Sequence, residues 1–150
     1  MESGNAISLT ATGEVADATT VTAEDVLALQ AITSGTITLS DGAAGNPTIT
    51  GSLSDVAAVY TAGVTSADSS ITLDDTGLVS AENMVVVSAV TSAGAGTLTA
   101  TGVTGLRGTA SNIDTSITQD AGLNTADLII TDAVLELSLI HISEPTRPRS

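Results

Sequence analysis

The chain reads as an α/β protein, a solenoid of strand–turn–short-helix half-repeats of ~29 residues, two to a 58-residue super-repeat, with parallel strands forming a sheet. Three observations predict this. Residues 21–34 align with residues 79–92 at an offset of 58, with six identical positions and mostly conservative changes at the rest. Residues 49–56 align with residues 106–113 at an offset of 57, and residues 71–75 with residues 129–133 at 58. Helix-start hydroxyls at Thr22, Ser52, Ser80 and Thr109 recur at near-equal intervals, close to half that offset, each with Asp or Asn at the third following position. The competing architecture is a set of all-β sandwich repeats, in which the alanine-rich segments are strands.

The elements follow in order. Residues 7–9 open with an Ile-Ser-Leu alternation, apolar on one face and hydroxylic on the other, which suits a half-buried strand. Thr22 then starts a helix, because an N-cap hydroxyl accepts from a free first-turn N–H, and Glu24 and Asp25 complement the helix dipole. Val26, Leu29 and Ile32 recur at helical spacing and predict its buried stripe. A second strand lies at 37–39 and is closed by the turn sequence of residues 41–47. Ser52 starts the second helix. A third strand lies at 71–73, followed by Asp75-Thr-Gly77, and Ser80 starts a helix with Met84, Val87 and Val90 on one face. A fourth strand at 96–98 and a helix from Thr109 complete the second super-repeat. All four helices are expected to be about three turns at most.

Composition restricts the core and the partners. With no Phe, no Trp and one tyrosine, Tyr60, the interior must be built from Val, Ile, Leu and Ala, thin layers that suit stacked units better than a compact globule. Tyr60 aligns with Ile117 and is expected in that core. Over residues 1–136 there are sixteen acids against Arg107 alone, a formal charge of −15. Such a surface repels nucleic acid and anionic membrane, so no nucleic-acid partner is expected. No apolar run is long enough to span a bilayer, so no membrane insertion is expected either. Absence of cysteine removes disulfides, thiol nucleophiles and Cys-ligated zinc.

The chemistry-bearing residues are few. Catalysis would rest on acid pairs such as Asp74-Asp75 and Glu24-Asp25, but Glu24-Asp25 recurs as Glu82-Asn83, marking a repeat feature near a helix start. The reading is therefore that the chain is not an enzyme and carries no required cofactor. Calcium is the better candidate, since Asp41, Asp55, Asp68, Asp74, Asp75, Asp120 and Asp132 sit in or beside turns, with Asp41, Asp74 and Asp75 the candidate ligands. Against it, there is no Asp-x-Asp-x-Asp-Gly loop and no Gly-Gly-x-Gly-x-Asp nonapeptide, and Asp is favoured in turns for its own backbone hydrogen bonding. Arg107 stands where the first super-repeat has Thr50, so no structural demand for it is expected.

Residues 21–29, 36–41, 71–77 and 108–113 resemble the Thr/Ala/Ser/Asp-rich tandem repeats of giant bacterial cell-surface proteins of cyanobacterial type. That resemblance implies a non-catalytic structural segment of a large secreted or cell-surface protein, a spacer, coat or adhesive stalk. Its partners would be neighbouring repeats of the same chain and surface glycans. The alternative is a calcium-responsive or carbohydrate-binding repeat module. The calcium-binding nonapeptides found beside such repeats are absent, so metal binding is not carried over.

Residues 137–147, Leu-Ser-Leu-Ile-His-Ile-Ser-Glu-Pro-Thr-Arg, resemble a translated transposase-type sequencing adapter, codon for codon. Residues 137–150 are accordingly read as a non-native tail and residues 1–136 as the repeat fragment, open to extension at both ends. The reading removes His141, Arg147 and Arg149 from consideration as functional groups.

Overall fold

The computed structural model describes residues 9–12, 20–40, 47–66, 69–94, 96–120, 123 and 127–131. Along these the chain runs twice strand and once helix, four times over, and ends on a strand. The first unit is β1 (Leu9–Thr12), β2 (Thr20–Thr22) and α1 (Ala23–Ile32). The second is β3 (Ile37–Ser40), β4 (Thr48–Gly51) and α2 (Leu53–Thr61). The third is β5 (Ile71–Leu73), β6 (Gly77–Ser80) and α3 (Ala81–Ala93). The fourth is β7 (Leu98–Thr99), β8 (Val103–Gly108) and α4 (Ala110–Gln119), after which β9 spans Asp127–Ile130. Every described strand pairing is parallel, so the protein is α/β with parallel sheets and four helices among the described residues.

All four helices begin at the hydroxyls that the sequence marks. Thr22, Ser52, Ser80 and Thr109 accept from the backbone N–H of Asp25, Asp55, Asn83 and Asn112 at 3.1, 3.2, 3.4 and 3.1 Å. In the first two the hydroxyl also donates to the carboxylate of the same acidic residue, Thr22 to Asp25 at 2.7 Å and Ser52 to Asp55 at 2.8 Å. These segments are therefore helices, and the all-β sandwich alternative does not hold.

One feature of the expected unit is corrected: each carries two strands ahead of its helix and not one. The second strand of each pair is hidden in the sequence because it runs directly into the cap. Backbone at Thr22, Ser52, Ser80 and Thr109 is extended, with ψ of 143°, 149°, 123° and 153°, since an N-cap residue holds β-region angles. A strand can thus end on the residue that starts the helix. The fourth strand is also displaced, observed at Leu98–Thr99 and not at 96–98, and α3 exceeds three turns at 13 residues.

Strand register separates two kinds of neighbour. β1 pairs with β3 and β2 with β4, so that Val21 lies beside Ile49, its counterpart one unit on. β4 then pairs with the first strand of the third unit, Ile49 beside Ile71, a shorter step along the chain. The pattern repeats: β5 pairs with β7, β6 with β8 and β8 with β9. Val79 beside Leu106 is again the long step and Leu106 beside Leu128 the short one. Helices pack in sequence order, α1 on α2, α2 on α3 and α3 on α4.

Between helices and strands lies an aliphatic core. Ile49 and Ile71 from the sheet, Val56 and Val59 from α2, and Met84 and Val87 from α3 are fully buried. Val26 on α1 is buried and Leu29 partly so, but Ile32, expected on the same stripe, is 73% exposed. Ile32 ends the first of the helices, which packs on α2. Two small-residue contacts limit how closely the second unit approaches the first and the fourth the third. A β-carbon built on Gly51 would lie 3.1 Å from Ala23 Cβ, and one on Gly108 would lie 2.8 Å from Ala81 Cβ. Gly51 also holds φ +151°, which L side chains rarely adopt.

Candidate functional site

Two regions concentrate polar or concave features: the rim formed by the helix N-termini, and a cleft at the opposite ends of α2 and α3. At the rim, Asp75 follows β5 and its carboxylate accepts from the backbone N–H of Leu53, in the first turn of α2. First-turn N–H groups have no partner within their own helix, and a negative charge there complements the dipole. With Ser52 capping the same turn, α2 receives one acceptor from its own cap and another from the neighbouring unit. Asp74 is exposed, and its N–H donates to the Gly51 carbonyl at 3.2 Å, extending the β4–β5 ladder by a residue.

Of the three candidate calcium ligands, then, Asp75 has a structural task, Asp74 stands exposed beside it, and Asp41 lies outside the described residues. Asp68 and Asp132 lie outside them too. Asp55 is engaged with Ser52, and the Asp120 N–H closes α4 on the Ser116 carbonyl at 3.0 Å. Among the described residues no three His, Cys, Asp or Glu side chains converge on a point where they could hold a metal ion. Of the catalytic acid pairs, Glu24 and Asp25 are exposed on the first turn of α1, with Asp25 tied to the Thr22 hydroxyl.

No motif in the sequence marks the cleft. It measures about 490 Å³ and lies between the end of α2 and the C-terminal half of α3, with Tyr60, Val64 and Ser66 on one wall and Ala89, Val90 and Ala93 on the other. Tyr60, expected in the core, is half-buried and packs against it. Its phenol oxygen is buried without a well-formed hydrogen bond. Burial pushes the Tyr60 phenol up to about 12, while the Ser66 side chain pulls the other way without lining up as a proper partner. The only sequence signal is that Tyr60 is the sole aromatic residue. Neither wall carries a carboxylate among its described residues, so the cleft offers an apolar slot and not an acid–base pair.

Arg107 is exposed on β8, in register with Ser80 on one side and Ile129 on the other. Polar groups are also buried between helices. Ser88 on α3 lies 2.8 Å from the side-chain amide of Gln119 on α4, and Ser116 on α4 reaches the Ala81 carbonyl at 3.3 Å. At the position equivalent to Ser88, Gln30 on α1 donates to the Val59 carbonyl of α2 at 3.4 Å. These are contacts between units.

No protein-family model, curated protein or solved structure matches the chain. No helix among the described residues is long and apolar enough to cross a membrane.

Proposed function

We propose that the chain is a non-catalytic structural segment of a large secreted or cell-surface protein, a solenoid whose work is to set length as spacer, coat or adhesive stalk. The observation that carries this reading is the register. Val21–Ile49–Ile71 and Val79–Leu106–Leu128 are the same three-rung pattern, long step then short step, displaced along the chain by one super-repeat. A fold that repeats its pairing in this way adds units without changing its cross-section. The exposed acids keep such an array soluble and discourage lateral aggregation.

Length is the property to test. Inserting a second copy of residues 67–124 adds two rungs and two helices, and with neighbouring strands ~4.8 Å apart and neighbouring helices ~8–10 Å apart the particle should lengthen by about 10–20 Å at constant cross-section. Small-angle X-ray scattering reads both quantities. An independent domain of that size, joined like a bead, would instead add on the order of 25 Å, and that result would refute the solenoid. Thermal melting in millimolar calcium separates the structural role from a calcium-responsive repeat, since ligand binding to the native state must raise Tm. The structural reading expects no shift.

A further inference from the structure

The four-stranded sheet β2–β4–β5–β7 carries the same kind of side chain at every outward position on every rung. Thr20 pairs with Thr48, and Thr22 with Thr50, Thr50 with Thr72 and Thr72 with Thr99. Ser70 and Thr97 extend the first column: the Ile49 N–H donates to the Ser70 carbonyl at 2.9 Å, the Ile71 N–H to the Thr97 carbonyl at 2.8 Å, and the Thr97 and Ser70 hydroxyls are 3.2 Å apart. The result is two columns over four rungs, seven threonines and one serine. All eight are exposed or half-exposed, while Ile49 and Ile71 between them point inward and are fully buried.

The hydroxyl pattern is shared with the two-stranded sheet, where Thr10 pairs with Thr38 and Thr12 with Ser40, but not with the three-stranded sheet β6–β8–β9, which exposes Leu78, Thr104, Arg107 and Asp127, an ordinary mixture. On the grid there is no charge, no carboxamide and no aromatic ring. Hydroxyls repeat ~4.8 Å across the strands and about 6.7 Å along them, each able to donate and accept, and each threonine is held stiffly by its β-branch. A single hydroxyl–water contact contributes little net free energy, so such a face is useful only to a ligand that repeats with it. A sugar polymer would call for aromatic platforms or planar bidentate groups, which the face lacks.

We infer that the outer face of this sheet is an ice-binding surface, whose ligand is the ordered water of a crystal face meeting the threonine grid rung by rung. The inference stands on the strand register and does not require the spacer role. Thr22 is partly committed, because its hydroxyl bonds Asp25, and Thr50 reaches 3.5 Å towards the Val21 carbonyl. Thr72, on an inner rung with neither commitment, is the position to perturb.

The test grows ice slowly in a solution of the full chain and compares protein concentration in the ice with that in the remaining liquid. The chain should be enriched in the ice relative to a reference protein that freezing excludes. Thr72→Lys should lower that enrichment several-fold with Tm retained, and Arg107→Ser, outside the grid, should leave it unchanged. Should Thr72→Lys fail to fold, Thr72→Val keeps the strand-forming shape, removes the hydroxyl, and should reduce enrichment in the same direction. Exclusion of the parent chain from ice overturns the inference. So does equal enrichment of a folded Thr72 variant. Retention on insoluble polysaccharide without enrichment in ice assigns the grid to carbohydrate and also overturns it.

Discussion

Replacing Gly108 with alanine tests how closely the units of this protein must approach one another. Gly108 ends β8, immediately before the Thr109 cap, and a β-carbon there would sit 2.8 Å from Ala81 Cβ and 3.7 Å from Ala81 Cα and N. Carbon atoms prefer ~3.5–4.0 Å, so the junction must open by about 1 Å. Ala81 is fully buried in the first turn of α3. Its methyl is fixed to helix backbone and cannot swing aside. Overpacking of this kind costs about 1–3 kcal/mol, while alanine's smaller unfolded-state entropy returns about 0.4–1 kcal/mol. The net expectation is a loss on the order of 0.5–2 kcal/mol, read by urea unfolding followed by far-UV circular dichroism. Ala81→Gly alone should cost about 1 kcal/mol. Combined with Gly108→Ala it removes the clash, so the double variant should be more stable than the two single losses imply by about 1 kcal/mol. A Gly108→Ala chain as stable as its parent, or strict additivity in the double variant, would show that the close approach is not limiting.

The two acceptors at the start of α2 can be separated. Ser52→Ala should cost ~1 kcal/mol as a lost cap, and Asp75→Ala about 1–3 kcal/mol because the buried Leu53 N–H loses its partner. Asp75→Asn, whose amide oxygen still accepts, should fall between parent and alanine in the same urea experiment; an alanine variant no worse than the asparagine would remove the hydrogen bond from the account. Alkaline pH addresses Tyr60. Its folded phenol is raised to about 12 from 10.0, so the unfolded chain loses its proton first. Stability present below pH 10 is then lost as pH rises towards 12. The chain has no Lys and no Cys to titrate in that window. Tyr60→Phe should abolish the decline, and an unchanged alkaline slope in that variant would contradict the assignment.

The sequence by itself determined the helices and their starts, because capping is local. A hydroxyl, an acid or amide at the third following position and an apolar run lie within one turn, and Thr22, Ser52, Ser80 and Thr109 all act as those signals require. Strands at 37–39, observed one residue longer, and at 71–73 were equally legible, since alternation of Ile and Leu with Thr states which face is buried. The strands that run into the caps were not, because the extended backbone of an N-cap and that of a strand look alike in sequence. Only tertiary structure decided which strand pairs with which. The step from Val21 to Ile49 is longer than the step from Ile49 to Ile71, yet both end in parallel ladders. It decided also that Asp75 serves the neighbouring helix, that Ile32 is left exposed, and that Tyr60 borders a cleft. A hydroxyl residue was visible at each grid position, but rows exist only where distant segments are brought into register. That is the physical division: local backbone geometry is written in neighbouring residues, whereas a repeating surface depends on contacts between strands that a helix or a long turn separates along the chain.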